Sequence, residues 1–311
     1  MSRRGSAPAE VQRSKAAAVS IFSNTALIAL KVIAGLITGS VAIITEAIHS
    51  AVDLAASFIA YFSVRQAETP ADEEHRYGHE KFENVAAAAE GVLILIGSGV
   101  IVYAAIRSLI EGPELQSLGI GIGVVAFATA VNLIISTWLY AQARASQSSA
   151  LAADAAHLRT DAFTSLGVLV GLALAQITGA YWLDPVVALV IAVAIVVTGL
   201  RIVAGSWGVL VDEALPADEQ AVIRDAIEAF AGRGVVGYHQ LRTRRAGAIR
   251  YVDLHVQFRS GTSLEDAHGT AHALQDEIER RLPGGTDVLI HLEPADKVRP
   301  GEEIATGARA G

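Results

Sequence analysis

The chain of 311 residues contains no cysteine, and only 18% of its residues are charged. Without cysteine there is no disulfide and no thiolate ligand, so a metal would have to be bound by imidazole and carboxylate groups, which suit borderline to hard divalent ions. Soluble domains carry about a quarter charged residues, so the low charged fraction argues against a wholly soluble protein. The net charge of −8 argues against a nucleic-acid partner.

Long apolar segments are what the sequence has in abundance. Six of them reach the roughly 20 residues that a bilayer requires, at about 16–38, 41–65, 83–110, 117–142, 149–178 and 183–205. The connections predicted to lie inside are richer in Lys and Arg than the others, which places both termini in the cytoplasm. Residues 1–15 are polar and lack a cleavage site after an apolar stretch, so we expect a cytosolic tail without a signal peptide. The sequence therefore predicts a multi-pass protein of the inner or plasma membrane.

A polar domain follows the last apolar segment. Residues 216–230 and 264–282 have helical patterns, while 238–245, 249–258 and 287–292 read as strands. The order αββαβ predicts a compact α+β domain. We predict a tail at 1–15, a six-helix transmembrane all-α domain at 16–208, a cytoplasmic metal-binding domain at 209–296 and a disordered tail at 297–311.

Two apolar segments repeat one pattern of ionisable residues. Glu46, His49 and Asp53 have the same spacing as Asp154, His157 and Asp161, and a serine follows each final aspartate by four residues. On a helix these positions share one face. At ~1.5 Å per residue both histidines lie roughly 13 Å from opposite faces of the bilayer, hence near its midplane.

The charges of these residues indicate what they bind. Four ligands (His49, Asp53, His157 and Asp161) match the tetrahedral preference of zinc. Two carboxylates and two neutral imidazoles balance a divalent cation, and two imidazolium groups balance the empty site equally well. Metal and protons therefore compete for the same groups, which favours an antiporter over a channel.

The alternative is that these polar residues only make contacts between helices. Two matching copies at matching depth favour the metal site over this alternative. Glu46 and Asp154 extend the pattern toward opposite faces, where they line access vestibules or are merely solvated. Four further polar residues in apolar segments are predicted to hydrogen-bond neighbouring helices: Asn24, Lys31, Glu90 and Asn132.

The remaining histidines fall into two groups. In the loop after the second segment, Asp72, His75 and His79 converge on one ion if the chain turns at Gly78, and otherwise form a solvated polar loop. The polar domain holds five histidines, which is a high number for its size and favours metal binding; they are His239, His255, His268, His272 and His291, with Glu293 two residues beyond the last.

With these residues placed, the chain resembles the cation diffusion facilitator family from about residue 15 to 296. The resemblance is carried by the two intramembrane His/Asp pairs, the loop at 70–81, the junction at 211–216, the strand at 239–244 and the closing segment at 291–294. It implies a six-span homodimer that exports divalent metal, driven by proton influx, with a ferredoxin-like metal-sensing domain.

The resemblance also implies roles for particular residues. His49, Asp53, His157 and Asp161 correspond to the transport site, and Asp72, His75 and His79 to the loop site. The ligands of a binuclear site between two cytoplasmic domains would be His239, His255, His268, His291 and Glu293. Lys81 and Asp212 match a charge interlock of the dimer. His49 stands where many bacterial relatives have Asp, which shifts the preference toward zinc over manganese, and Glu293 stands where Asp is usual.

We therefore expect a zinc exporter without enzymatic activity, with Zn²⁺ as both cargo and regulator, no organic cofactor, and the lipid bilayer, protons and a second copy as partners. Iron, cadmium, cobalt or nickel are alternative cargoes. A different class of protein, an intramembrane metalloenzyme, would need an open coordination position and a general base, and the sequence has no HExxH. A sensor or scaffold that no longer transports is a third alternative, against which the intact intramembrane ligands argue.

Overall fold

The computed structural model describes residues 7–38, 54, 56–111, 119–180 and 182–297. Their contacts divide the chain into two compact units, one from Ala7 to Trp207 and the other from Gly208 onward. The predicted ligands His49 and Asp53, together with Glu46 and residues 298–311 of the predicted tail, lie outside the described residues.

The first unit is built from long helices: α1 (Ala7–Thr38), α2 (56–67), α3 (Lys81–Glu111), α4 (Gly119–Ser146), α5 (Ser149–Thr178) and α6 (Leu183–Leu210, whose last turn enters the second unit). Helix α1 begins nine residues before the predicted apolar segment, because its polar first turns continue the same helix. Within the described residues, three segments are long and apolar enough to cross a membrane: Arg13–Ile33, Lys81–Glu111 and Pro185–Leu210.

Small side chains let the helices of this unit approach closely. Alanines make up most of the buried apolar residues of α1, α3 and α5, around a few larger residues such as Leu139 and Leu151. Where α3 and α6 meet, a Cβ placed on Gly91 would lie 2.8 Å from Val203 Cγ2, and one on Gly199 would lie 2.9 Å from Leu95 Cγ. Such small-residue contacts are typical of helix packing in membranes.

The second unit has the predicted order αββαβ. It comprises α7 (Ala217–Glu228), β1 (Val235–Ala246), β2 (Ile249–Phe258), α8 (Leu264–Arg281) and β3 (Gly285–Pro294). Strand β2 lies in the middle of the sheet, antiparallel to β1 and parallel to β3. Strands β1 and β3 are longer than the sequence pattern indicated, because residues at both ends of each strand are held by pairing with β2.

One face of this sheet is covered by both helices. Val252, Leu254 and Val256 of β2 are buried against residues of the helices such as Ile227 and Leu274. Because side chains alternate along a strand, the residues between them, including Asp253 and His255, belong to the opposite face. Apolar burial thus fixes which face of the sheet carries the histidines.

Candidate metal centres

Helix α5 brings His157 and Asp161 together as its periodicity requires. His157 Nε2 lies 3.8 Å from Asp161 Oδ2, and the histidine is only 8% exposed. The two residues are four apart on one helical face. Since His49 and Asp53 lie outside the described residues, this pair is the described half of the predicted four-ligand site.

One turn before this pair, Asp154 is fully buried in a polar network. Its Oδ1 accepts a hydrogen bond of 3.1 Å from the Ser57 hydroxyl, and Ser20 also donates to this carboxylate. Asn24 Nδ2 in turn donates to Ser57 Oγ at 2.7 Å, which joins α1 to α2 as the sequence indicated for this residue. Asp154 is therefore a member of the helical core, not a solvated residue.

Helix α3 contributes a second buried acid, Glu90. The residue has 0% exposure, and its carboxylate interacts electrostatically with Asp154 and His157. Among the described residues neither of its oxygens has a hydrogen-bond partner. The interhelical hydrogen bond predicted for Glu90 is thus missing from the described part of the structure.

The loop between α2 and α3 gathers Asp72, His75 and His79. Their ligand atoms all lie within 4.8 Å of one another. His79 Nε2 is 3.3 Å and His75 Nδ1 is 3.6 Å from the Asp72 carboxylate. The chain turns at Gly78, whose φ of 90° favours glycine, and the Gly78 N–H donates to the His75 carbonyl. The turn required for convergence is therefore present.

Backbone groups prepare this loop to bind a cation. Asp72 Oδ1 accepts hydrogen bonds from the N–H groups of His75 (2.6 Å) and Glu74 (2.9 Å). The bond from His75 is the main reason that the pKa of Asp72 lies below its ordinary value. His79 Nδ1 lies 3.3 Å from the Thr69 carbonyl. Donation by Nδ1 to this oxygen leaves Nε2 as the acceptor for a metal, a common outer-sphere arrangement.

In the second unit, strand pairing aligns three histidines across the sheet. His239 of β1 pairs with His255 of β2, and His255 pairs with His291 of β3. The rings of His255 and His291 are 4.5 Å apart between centroids. Immediately after His239, β1 contains a bulge at Gln240, which has a positive φ of 50°. The bulge ends the regular pairing beside the histidine and bends the strand there.

Glu293 is the central residue of this group. Its two oxygens lie 2.8 Å from His239 Nε2 and 2.8 Å from His255 Nδ1, and His291 Nε2 is 3.8 Å away. Partial burial alone would raise the pKa of Glu293, but the hydrogen bonds from His255 and His239 outweigh it and hold the pKa below its ordinary value. Two imidazoles and one carboxylate leave a coordination position of a tetrahedral metal for a further ligand.

The fourth predicted histidine of this domain lies elsewhere. His268 is on α8, where its Nε2 is 3.1 Å from Nε2 of the exposed His272. The structure does not bring His268 to Glu293 within one chain.

The Thr69 carbonyl beside His79 could not be predicted from the sequence, since a backbone oxygen has no residue-type signal. The charge of Glu90 inside an apolar segment, by contrast, was visible in the sequence.

Comparisons with known proteins identify the family of this chain. The family model for the cation efflux transmembrane domain matches residues 17–211, and that for the cation efflux protein cytoplasmic domain matches residues 215–295. The chain is 37% identical over 285 residues to the cation-efflux pump FieF of Yersinia pestis, covering 91% of this chain and 94% of that protein. The chain belongs to the cation diffusion facilitator family.

Two further proteins are similar to this cation diffusion facilitator. An uncharacterized transporter of Synechocystis is 34% identical over 280 residues, covering 90% of each chain. The metal-bound C-terminal domain of the CzcD transporter from Thermotoga maritima is 28% identical, covering 27% of this chain and all of that one, with a TM-score of 0.24.

Membership confirms several expectations from the sequence. The protein is a metal-cation efflux transporter with a transmembrane helical domain and a cytoplasmic α+β domain. Its relatives are transporters and not enzymes, so the alternative of an intramembrane metalloenzyme is set aside. The cytoplasmic domain is of the type that dimerises and interacts with metal ions.

Proposed function

We propose that this cation diffusion facilitator exports Zn²⁺ from the cytosol in exchange for protons. The observation that carries the proposal is the pair on α5, where Nε2 of the buried His157 lies 3.8 Å from Oδ2 of the partly buried Asp161 inside the helical unit. Ionisable groups within a membrane span are costly and are retained mainly where they serve an ion pathway. His49 and Asp53 supply the other two ligands.

The choice of zinc follows from the donor atoms. Two imidazole nitrogens and two carboxylate oxygens suit Zn²⁺, which takes four such ligands in a tetrahedron. A site with His49 in place of a third carboxylate has one negative charge fewer, and nitrogen ligands favour zinc over manganese. The chain contains no thiolate that would favour softer ions.

Exchange for protons follows from the same groups. When the metal leaves, two carboxylates remain in a medium of low dielectric constant, and protons on the two imidazoles restore neutrality. The protein then works in the inner or plasma membrane, with both termini cytoplasmic, and protons enter as zinc leaves. This direction requires that metal loads from the cytosolic side.

Metal binding by the cytoplasmic domain is proposed to be regulatory. His239, His255 and Glu293 form one half of a site. Its remaining ligands, His268 and His291, bind the metal when two copies of the domain dimerise. The open coordination position beside Glu293 supports this assignment. Asp72, His75 and His79 bind a further ion in the loop after α2.

Zinc flux in proteoliposomes tests the central proposal. Purified protein is reconstituted with an imposed pH gradient, and internal zinc is followed with a fluorescent indicator. We expect H157A and D161A to abolish zinc movement driven by the pH gradient while the protein elutes as folded dimer. E111Q, which changes an exposed acid on α3, serves as the control and keeps wild-type flux. Wild-type flux in D161A would overturn the assignment.

A further inference from the structure

The buried carboxylates of Glu90 and Asp154 have no role in the four-ligand site. Both residues have 0% exposure, and they come from different helices, α3 and α5. Both oxygens of Glu90 and Oδ2 of Asp154 have no hydrogen-bond partner among the described residues. Three buried acceptor atoms without donors are costly in any protein interior.

Neutral polar groups from the neighbouring helices contact Asp154 directly or through Ser57. Ser57 of α2 lies 3.1 Å from Asp154 Oδ1, Ser20 of α1 donates to the same carboxylate, and Asn24 completes the chain of contacts. His157 interacts electrostatically with both acids. A divalent cation requires several oxygen ligands, whereas a proton requires a single acceptor, so a network of this size is better suited to a metal.

The position of the network continues the proposed transport site. Asp154, His157 and Asp161 follow one another at spacings of three and four residues, so they share a face of α5. Asp154 lies one turn from His157, on the side that the sequence predicts to face the cytosol. A metal that moves from the cytosol to His157 would meet these carboxylates first.

We propose that Glu90 and Asp154 form a second intramembrane cation site, which holds a divalent metal ion one helical turn before the His157 and Asp161 pair. The inference rests on the proposed function, since it assigns a place on the cytosolic access route of that transport site. The two carboxylates balance the charge of one divalent ion, and Ser20 and Ser57 orient Asp154. With oxygen ligands and no imidazole of its own, the site is expected to bind and release metal readily.

Equilibrium binding tests this site without requiring transport. The full chain in detergent is dialysed against radioactive Zn²⁺ at saturating concentration, and bound zinc is counted per chain. We expect E90Q to bind one ion fewer than wild type, H157A to bind one ion fewer, and E90Q/H157A to bind two fewer. E90D, which keeps the carboxylate, and E111Q, an exposed acid of the same helix, should bind as many ions as wild type.

The outcomes separate this inference from the proposed function. If E90Q loses no ion, the second site is overturned, whereas an unchanged count in H157A alone contradicts only the transport-site assignment. Should E90Q fail to fold, D154N is measured in its place. In proteoliposomes we expect E90Q and D154N to raise the KM for cytosolic-side zinc at least fivefold. An unchanged KM with a shifted pH profile would mean that the acids carry protons, and would overturn the proposal.

Discussion

The guanidinium of Arg13 lies 2.8 Å from the Glu83 carboxylate, and the two side chains are 5% and 0% exposed. The other Glu83 oxygen accepts a 2.5 Å hydrogen bond from the Ser148 hydroxyl, and Glu80 lies 3.4 Å from the same Arg13 nitrogen. These contacts connect α1, the first turn of α3 and the residue before α5. Buried charges are tolerated only when paired, so this network fixes how the three helices meet.

Removing one partner of this ion pair should destabilise the helical unit. E83Q removes the nearest ion-pair partner of the buried Arg13 and leaves Glu80 at 3.4 Å, so we expect the free energy of unfolding to fall by about 3 kcal/mol, the low end of the range for a broken buried pair. SDS titration in mixed micelles measures this change. R107Q is the control, because its 2.7 Å partner Glu111 is exposed and exposed pairs contribute about 0.5 kcal/mol. Equal losses in both variants would contradict the buried-network explanation.

The close approach of α3 and α6 makes a second prediction. In G91A the new methyl group would meet Val203 at 2.8 Å from Cγ2 and 3.2 Å from the backbone nitrogen. We expect a loss of about 1–3 kcal/mol from overpacking, measured by the same titration. G97A is the matched control on the same helix, because nothing described lies within 4 Å of its Cβ position. Since alanine favours helix over glycine by about 1 kcal/mol, G97A should be neutral or stabilising.

The cytoplasmic domain was the part of the fold best predicted from sequence. Alternation of apolar residues over 249–258 predicted β2 with its observed bounds, and the order αββαβ is as expected. The predicted strands also placed His239 and His255 on separate strands and His291 at a strand end, and the structure has these residues on β1, β2 and β3. The local pattern sufficed there, since burial repeats every second residue.

Long-range partners could not be predicted in the same way. The charges of Arg13 and Glu83 are visible in the sequence, but 70 residues separate them, and only helix packing brings them together. Glu293 and His239 are likewise 54 residues apart, and they belong to β3 and β1 on opposite sides of the central strand, which no local pattern indicates. For Glu90 the sequence correctly indicated a polar residue between helices. The expected hydrogen bond to a neighbouring helix was wrong for the described residues, where neither carboxylate oxygen has a partner.

Acidification should disorder the loop that holds Asp72. Hydrogen bonds from the N–H groups of His75 and Glu74 favour its carboxylate form, so the pKa of Asp72 is lower in the folded loop than in an unfolded chain. The resulting stabilisation is present above the unfolded pKa and is lost as the pH falls through the folded pKa. NMR of carboxyl-labelled aspartate should show one resonance with a depressed midpoint that is absent in D72N. A midpoint at or above the ordinary aspartate value would contradict the loop geometry.

Glu293 should be required for metal binding by the cytoplasmic domain. Its two oxygens contact His239 and His255 at 2.8 Å each, so it either binds the metal itself or orients both imidazoles. We expect E293Q to weaken the tightest calorimetric phase of zinc binding to the full chain at least about tenfold, the scale of losing a conserved outer or inner partner of a metal site. H255A should affect the same phase.

A matched control separates the ligand role from general strand effects. D253N changes a half-buried acid two residues before His255 on β2, which lies 3.9 Å from Arg242, so zinc binding should not change. If E293Q and H255A act on one site, the double variant should lose no more affinity than the more damaging single change, because residues of one site are not additive. Additive losses would place Glu293 and His255 in separate sites. The alignment of the histidines across the sheet would then not create a shared metal site.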